Sequence, residues 1–140
     1  MTDELPETVV FDAEPLIAYF RDEPGSDVVE RYIGGVEGSV AGYISAVNLA
    51  EVHYVVRGLD SEERAEMIVD VLKESGIERI DTAETWRLAS EFKSHHAPAL
   101  GDAFALATAT HVDGTLLVGA DDDYDSITDV PITQFRDEPA

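Results

Sequence analysis

The chain has 140 residues, 44% of them hydrophobic and none of them cysteine; this is enough for a real core and excludes disulfides, thiolate metal sites and a cysteine nucleophile. Thirty acidic residues face nine Lys and Arg, a formal charge of −21 spread along the whole chain, which disfavours nucleic-acid binding by surface charge alone. No apolar run approaches a membrane span and no basic-then-apolar leader opens the chain, so a soluble, cytoplasmic protein is expected. In chain order, "TVVFDA" from Thr8 to Ala13 is β-branched and apolar on both faces, which predicts a central parallel strand ended by Asp12. A helix follows, with Pro15 at its first position and Pro24-Gly25 as its stop. "SDVVERYIGGVEG" predicts a second helix that decays at its glycines, and "SVAGYISAV" a strand. "NLAEVHYVVRGL" predicts a helix with Leu49, Val52, Val55 and Val56 on one face. Asp60 and Glu63 read as a capping box for "SEERAEMIVDVLKES", which Gly76 closes. "IERID" is a short strand, and Asp81 with Glu84 reads as a second box, leading into "TWRLASEFKSHH" up to the Pro98 break. "ALGDAFALATATHV" predicts a buried helix of small residues, Asp113-Gly114 a turn, "TLLVGA" a strand and "PITQF" an edge strand, with "RDEPA" as a frayed tail.

Strands alternating with helices predict an α/β fold with a parallel sheet. One domain over residues 1–140 is expected, its core in roughly 8–135. Ligands of such sheets bind beyond the carboxyl ends of the strands. Asp12 and Asp121 end two strands, Glu51 falls in the first turn of the helix after the second strand, and Asp102 starts the small-residue helix. All four collect at that edge if the small-residue helix packs beside the first strand. Taken singly, Glu51 and Asp102 also suit the positive end of a helix dipole, and the run Asp121–Asp125 suits a polar turn. Convergence of four carboxylates changes that reading. Clustered acids either raise one another's pKa or hold a cation, and all-oxygen ligation suits Mg²⁺ or Mn²⁺.

Competing motifs fit less well. A calcium loop starting at Asp121 would have Ser126 where Gly is required and Ile132 where Glu is required. A phosphoryl-aspartate enzyme needs a lysine at a strand end, and neither Lys73 nor Lys93 stands there. "IGGVEGS" follows a helix and misses the dinucleotide spacing. His53, His95, His96 and His111 read as surface or helix-end residues, the middle two in a loop.

On these residues the chain resembles the PIN-domain ribonucleases, and among them the VapC toxins of type II toxin–antitoxin systems, in a haloarchaeal style of sequence. "VVFDAEPLIAYF", "ISAVNLAEVHYVV", "PALGDAFALATA" and "LLVGADDDYD" are similar to the family's four acidic motifs, in order, the last with an aromatic residue three positions after its acid. The resemblance implies a PIN-like three-layer α/β/α domain around a central, mostly parallel sheet of four to five strands. It carries the conserved catalytic and metal-binding acids onto Asp12, Glu51, Asp102 and Asp121, with Asp123 as an accessory acid. Asp12 and Asp102 are then the principal ligands of one or two Mg²⁺ or Mn²⁺ ions. Asp121 completes the shell, and Glu51 holds a second metal or positions water. Ser45 and Asn48 are further contacts near the site, although helix capping is the expected role of Asn48. Gly119 departs from the family, which has a hydroxyl residue two places before the last acid; the side-chain hydrogen bond there is then missing or made by water. The implied activity is endonucleolytic cleavage of RNA to 5′-phosphate and 3′-hydroxyl ends, with a VapB-like antitoxin partner and a homodimer. The charge of −21 is not read against an RNA substrate, because it matches a salt-accumulating organism and the metals supply positive charge locally. Two alternatives stand beside this: a non-catalytic PIN-fold interaction module, and a phosphatase or phosphotransfer enzyme on a similar sheet.

Overall fold

The computed structural model describes residues 4–120 and 122–137. Five strands, β1 (Thr8–Phe11), β2 (Ala41–Ser45), β3 (Ile77–Ile80), β4 (Thr115–Val118) and β5 (Ile132–Gln134), form one sheet in the order β3-β2-β1-β4-β5. Every strand pairing is parallel. The helices are α1 (Ala13–Phe20), α2 (Ser26–Gly38), α3 (Ala46–Leu59), α4 (Glu62–Glu74), α5 (Trp86–His96) and α6 (Leu100–Val112). None is long and apolar enough to cross a membrane, among the described residues.

The period-two alternation of the strands sorts the core into two faces. Val9, Phe11, Ile44, Ile77 and Leu117 pack with the buried residues of α1 to α4. Val10, Leu116 and Val118 pack with α5 and α6 on the other side. The architecture is therefore three-layer α/β/α. The small residues of α6, Ala103, Ala105, Ala107 and Ala109, are all buried, which lets this helix lie close against the sheet. "PITQF" does form the edge strand beside β4.

Several boundaries differ from expectation, each for a local reason. The first helix begins at Ala13, not Pro15, because the Asp12 carboxylate caps it, Oδ1 accepting from Ala13 N at 2.8 Å. It ends at Phe20, before Pro24. α2 does not decay at Gly34 and Gly35: two interior glycines cost ~1 kcal/mol each relative to Ala, less than the ~1.5–3 kcal/mol contributed by each fully buried apolar side chain. Its apolar stripe of Val29, Tyr32, Ile33 and Val36 is buried. Ser61, not Asp60, caps α4, accepting from Arg64 N at 3.1 Å. Asp60 instead terminates α3 and pairs with Arg21 and Arg64. Asp81 makes no side-chain cap; it pairs with Arg79 and leads into a single 3₁₀ turn, Thr82–Glu84. His95 and His96 lie in the last turn of α5, not in a loop. Arg136, expected in a frayed tail, has a side chain only 8% exposed and pairs with Glu14 and Glu23.

Candidate active site

The strand order reverses at β1: the chain winds outward through β2 and β3 on one side, then returns to β4 and β5 on the other. Such a switch point leaves a crevice at the carboxyl ends of the two central strands. Asp12 stands there, immediately after β1, its backbone N–H donating to Leu117 O of β4 at 3.0 Å. The same carboxylate is 7% exposed although it is charged in its ordinary state. Asp102 occupies the first turn of α6. Between the two sits the hydroxyl of Tyr124, 2.8 Å from Asp12 Oδ2 and 3.0 Å from Asp102 Oδ1.

Asn48 connects this pair to Glu51. Its Nδ2 lies 2.7 Å from Glu51 Oε1, 3.1 Å from Gly101 O and 3.4 Å from Asp12 Oδ1. Two N–H bonds face three acceptors, so Asp12 holds the weakest share. Asn48 Oδ1 is buried and has no partner among the described residues. Glu51 lies close over Gly101: a Cβ at that glycine would come 2.5 Å from Glu51 Oε1. Three acids from three separate elements therefore meet through one phenol and one amide.

Burial pushes the Asp12 carboxyl up to about 7, with the Asp102 charge adding to the rise and the Tyr124 and Ala13 hydrogen bonds opposing it. Burial also raises Tyr124, and the two neighbouring carboxylates raise it further, so the phenol keeps its proton. A neutral phenol has one proton to donate. It can donate to only one of the two carboxylates at a time. Among the described residues, no three carboxylate or imidazole groups converge as a finished metal cage. Two do, and the donors are all oxygen. Mg²⁺ is commonly held by one or two carboxylates, with waters and substrate phosphates filling the remaining positions, so the residues present fit that ion.

A family model for the PIN domain matches residues 9–130. The chain belongs to the PIN-domain family. A search of curated proteins by sequence finds no match. Among solved structures, a chain of VapBC-1 from nontypeable Haemophilus influenzae superposes with a TM-score of 0.73 at 12% identity, covering 91% of this chain and 98% of that one. A chain of a toxin–antitoxin complex from Klebsiella pneumoniae gives 0.70 at 18%, covering 93% and 99%. A chain of VapBC2 from Rickettsia felis, in a complex bound to a promoter DNA fragment, gives 0.69 at 17%, covering 91% and 98%. The PIN fold is thus matched along nearly the full length of each relative.

Within this PIN domain, Asp12, Glu51 and Asp102 come together as the sequence predicts, and Asp121 lies outside the described residues. Glu51 is in the second turn of α3, not the first, because the helix already begins at Ala46. The macrodipole account of Glu51 therefore fails, and its contact with Asn48 replaces it. The capping role expected of Asn48 belongs to Ser45, whose Oγ accepts from Val47 N at 3.1 Å. Asp123 is exposed, on the one-turn helix Asp122–Tyr124 that carries Tyr124 inward. Tyr124 is the residue sequence reasoning passed over. Its signal was the aromatic position three residues after Asp121, which says nothing of the hydroxyl.

The space beside Gly119 is occupied by Glu14. A Cβ there would collide with the carboxylate of Glu14, two residues after Asp12. Arg136 Nη2 donates to Glu14 Oε2 at 3.1 Å and Nη1 to Glu23 Oε1 at 3.3 Å. A carboxylate anchored by a buried arginine thus fills the space beside Gly119.

Proposed function

We propose that this chain is one PIN domain acting as a Mg²⁺- or Mn²⁺-dependent endoribonuclease of the VapC toxin kind. The observation that carries this reading is the approach of Asp12 and Asp102 to a single point, 2.8 and 3.0 Å away. Asp12 and Asp102 would hold the ion, with Asp121 joining them beyond β4. Bound there, the ion supplies Lewis acidity toward a phosphoryl oxygen and lowers the pKa of water. Glu51, fixed by Asn48 and lodged over Gly101, accepts a proton or orients the attacking water. Tyr124 holds the two principal carboxylates at a set separation. Phosphotransfer through an aspartyl phosphate has no support: Lys93 Nζ donates to Pro98 O at 2.6 Å, and neither lysine pairs with a carboxylate of the cluster among the described residues.

The matched chains come from toxin–antitoxin complexes, which supports a VapB-like antitoxin as partner. A homodimer and a cytoplasmic location accompany this reading, and the net charge of −21 favours assay in high salt. The test is RNA cleavage by antitoxin-free wild type and Asp12→Ala, with Mg²⁺ or Mn²⁺ and with EDTA, in concentrated KCl. Cleavage by wild type alone, abolished by EDTA and leaving 5′-phosphate ends, is expected. Equal cleavage by the two proteins removes the proposal.

A further inference from the structure

Helices α5 and α6 pack side by side and leave an open groove lined by Trp86, Ser90, Lys93, Leu100 and Phe104. Trp86 is 50% exposed and Leu100 58%. Apolar surface of this kind, left in water, calls for an occupant. The guanidinium carbon of Arg87 lies 4.4 Å from the Trp86 ring centroid, so the ring already carries a cation on it.

Charge makes the groove distinct. The segment Trp86–His96 holds Arg87, Lys93, His95 and His96 against the single acid Glu91, in a chain where acids outnumber Lys and Arg thirty to nine. Arg21, Arg57, Arg64, Arg79 and Arg136 all pair with carboxylates. Arg87 and Lys93 make no ion pair among the described residues; the same holds for Arg31 and Lys73, but only Arg87 and Lys93 share a helix. Trp86, Ser90 and Lys93 recur at the spacing of one helix face. Leu100 and Phe104, four apart on α6, share the face that lines the groove, and Asp102, two positions from each, stands on another face. At the far end of α5, His96 Nδ1 meets Ser126 Oγ at 3.2 Å, just beyond Tyr124. The C-terminal end of α5 therefore adjoins the Tyr124 segment, while the groove itself lies along the face shared by α5 and α6.

We infer that the α5–α6 groove seats single-stranded RNA, one base stacking on Trp86 and the adjoining phosphates contacting Arg87 and Lys93. This rests on the ribonuclease reading. Stacking is tolerant of sequence and, unlike ion pairing, survives the salt that a −21 chain demands. A second copy of the chain is the weaker occupant, because two-fold pairing of this face would set Arg87 and Lys93 against the same cations.

The chain contains one tryptophan, so Trp86 emission reports directly on the groove. Oligoadenylate is titrated into wild type in EDTA and into Asp102→Asn in Mg²⁺, while wild-type cleavage of the same RNA is followed in parallel. Saturable quenching is expected in the Mg²⁺ titration. Trp86→Ala should weaken binding of labelled oligoadenylate, read by anisotropy, by about 5- to 150-fold. It should raise KM with kcat held, and Trp86→Phe should recover part of the loss. Cleavage with no change in Trp86 emission overturns the groove and leaves the ribonuclease reading standing. Quenching with no cleavage supports the groove and removes the ribonuclease reading. Neither signal removes both. Emission indifferent to RNA, together with a wild-type dimer that Trp86→Ala splits in sedimentation, assigns the groove to a second copy and overturns the inference.

Discussion

Replacing Asp12 by Asn should stabilise the metal-free protein, and by an amount that depends on pH. The folded carboxyl sits at about 7 against an ordinary 3.8, chiefly because it is buried. A folded pKa above the unfolded one means that ionisation works against folding: the penalty is absent below the unfolded value and complete above the folded value. At ~1.36 kcal/mol per pH unit, the rise corresponds to about 4 kcal/mol, a ceiling because Asn is a weaker acceptor for the Tyr124 hydroxyl. Asn caps a helix about as well as Asp, so the start of α1 is not an added variable. Urea denaturation in EDTA should therefore show a small gap between the proteins near pH 4 and the full gap near pH 8. Mg²⁺ at about 100 times its Kd should then return ~2.7 kcal/mol to wild type and nothing to the variant. A gap that stays constant across this range would show that Asp12 carries no burial penalty, and the electrostatic account of the site would fail.

Three other substitutions probe the supports. Gly101→Ala brings a Cβ to 2.5 Å from Glu51 Oε1, the movable end of a side chain. Stability should change by less than about 1 kcal/mol, while RNA cleavage falls about 10²-fold through displacement of Glu51, as thermal melts and initial rates would report. Gly119→Thr introduces the hydroxyl usual in the family but evicts Glu14 from Arg136, costing about 1–3 kcal/mol; the cost should shrink in the Glu14→Ala background, a coupling measurable in a double-mutant cycle. Ser45→Ala removes the α3 cap and should cost ~1 kcal/mol in denaturation with kcat unchanged, whereas a larger loss of rate than of stability would give Ser45 a role beyond capping.

The principal acids were legible because their positions follow from topology. An aspartate closing an apolar strand in a parallel sheet has one edge to stand on, and a small-residue helix packed against that strand brings Asp102 to the same edge. What escaped was decided by atoms far apart in sequence. Ser45 and Asn48 are both good caps, and only the reach of the Ser45 hydroxyl to Val47 N decides between them. The Tyr124 hydroxyl acquires its role only once Asp12 and Asp102 flank it. Gly119 read as a lost hydroxyl, since nothing local announces that Glu14 fills its space. Arg136 read as tail, because its partners Glu14 and Glu23 lie near the other end of the chain.

The order of the strands also bears on how the protein is made. β4 sits beside β1 at the middle of the sheet, and Tyr124 closes on Asp12 across 112 positions. A ribosome delivers the Asp12 carboxylate 112 residues before the phenol that bonds to it. Until β4 and the Tyr124 segment have been made, Asp12 has neither its neighbouring strand nor its phenol, so the cluster assembles by long-range closure rather than locally.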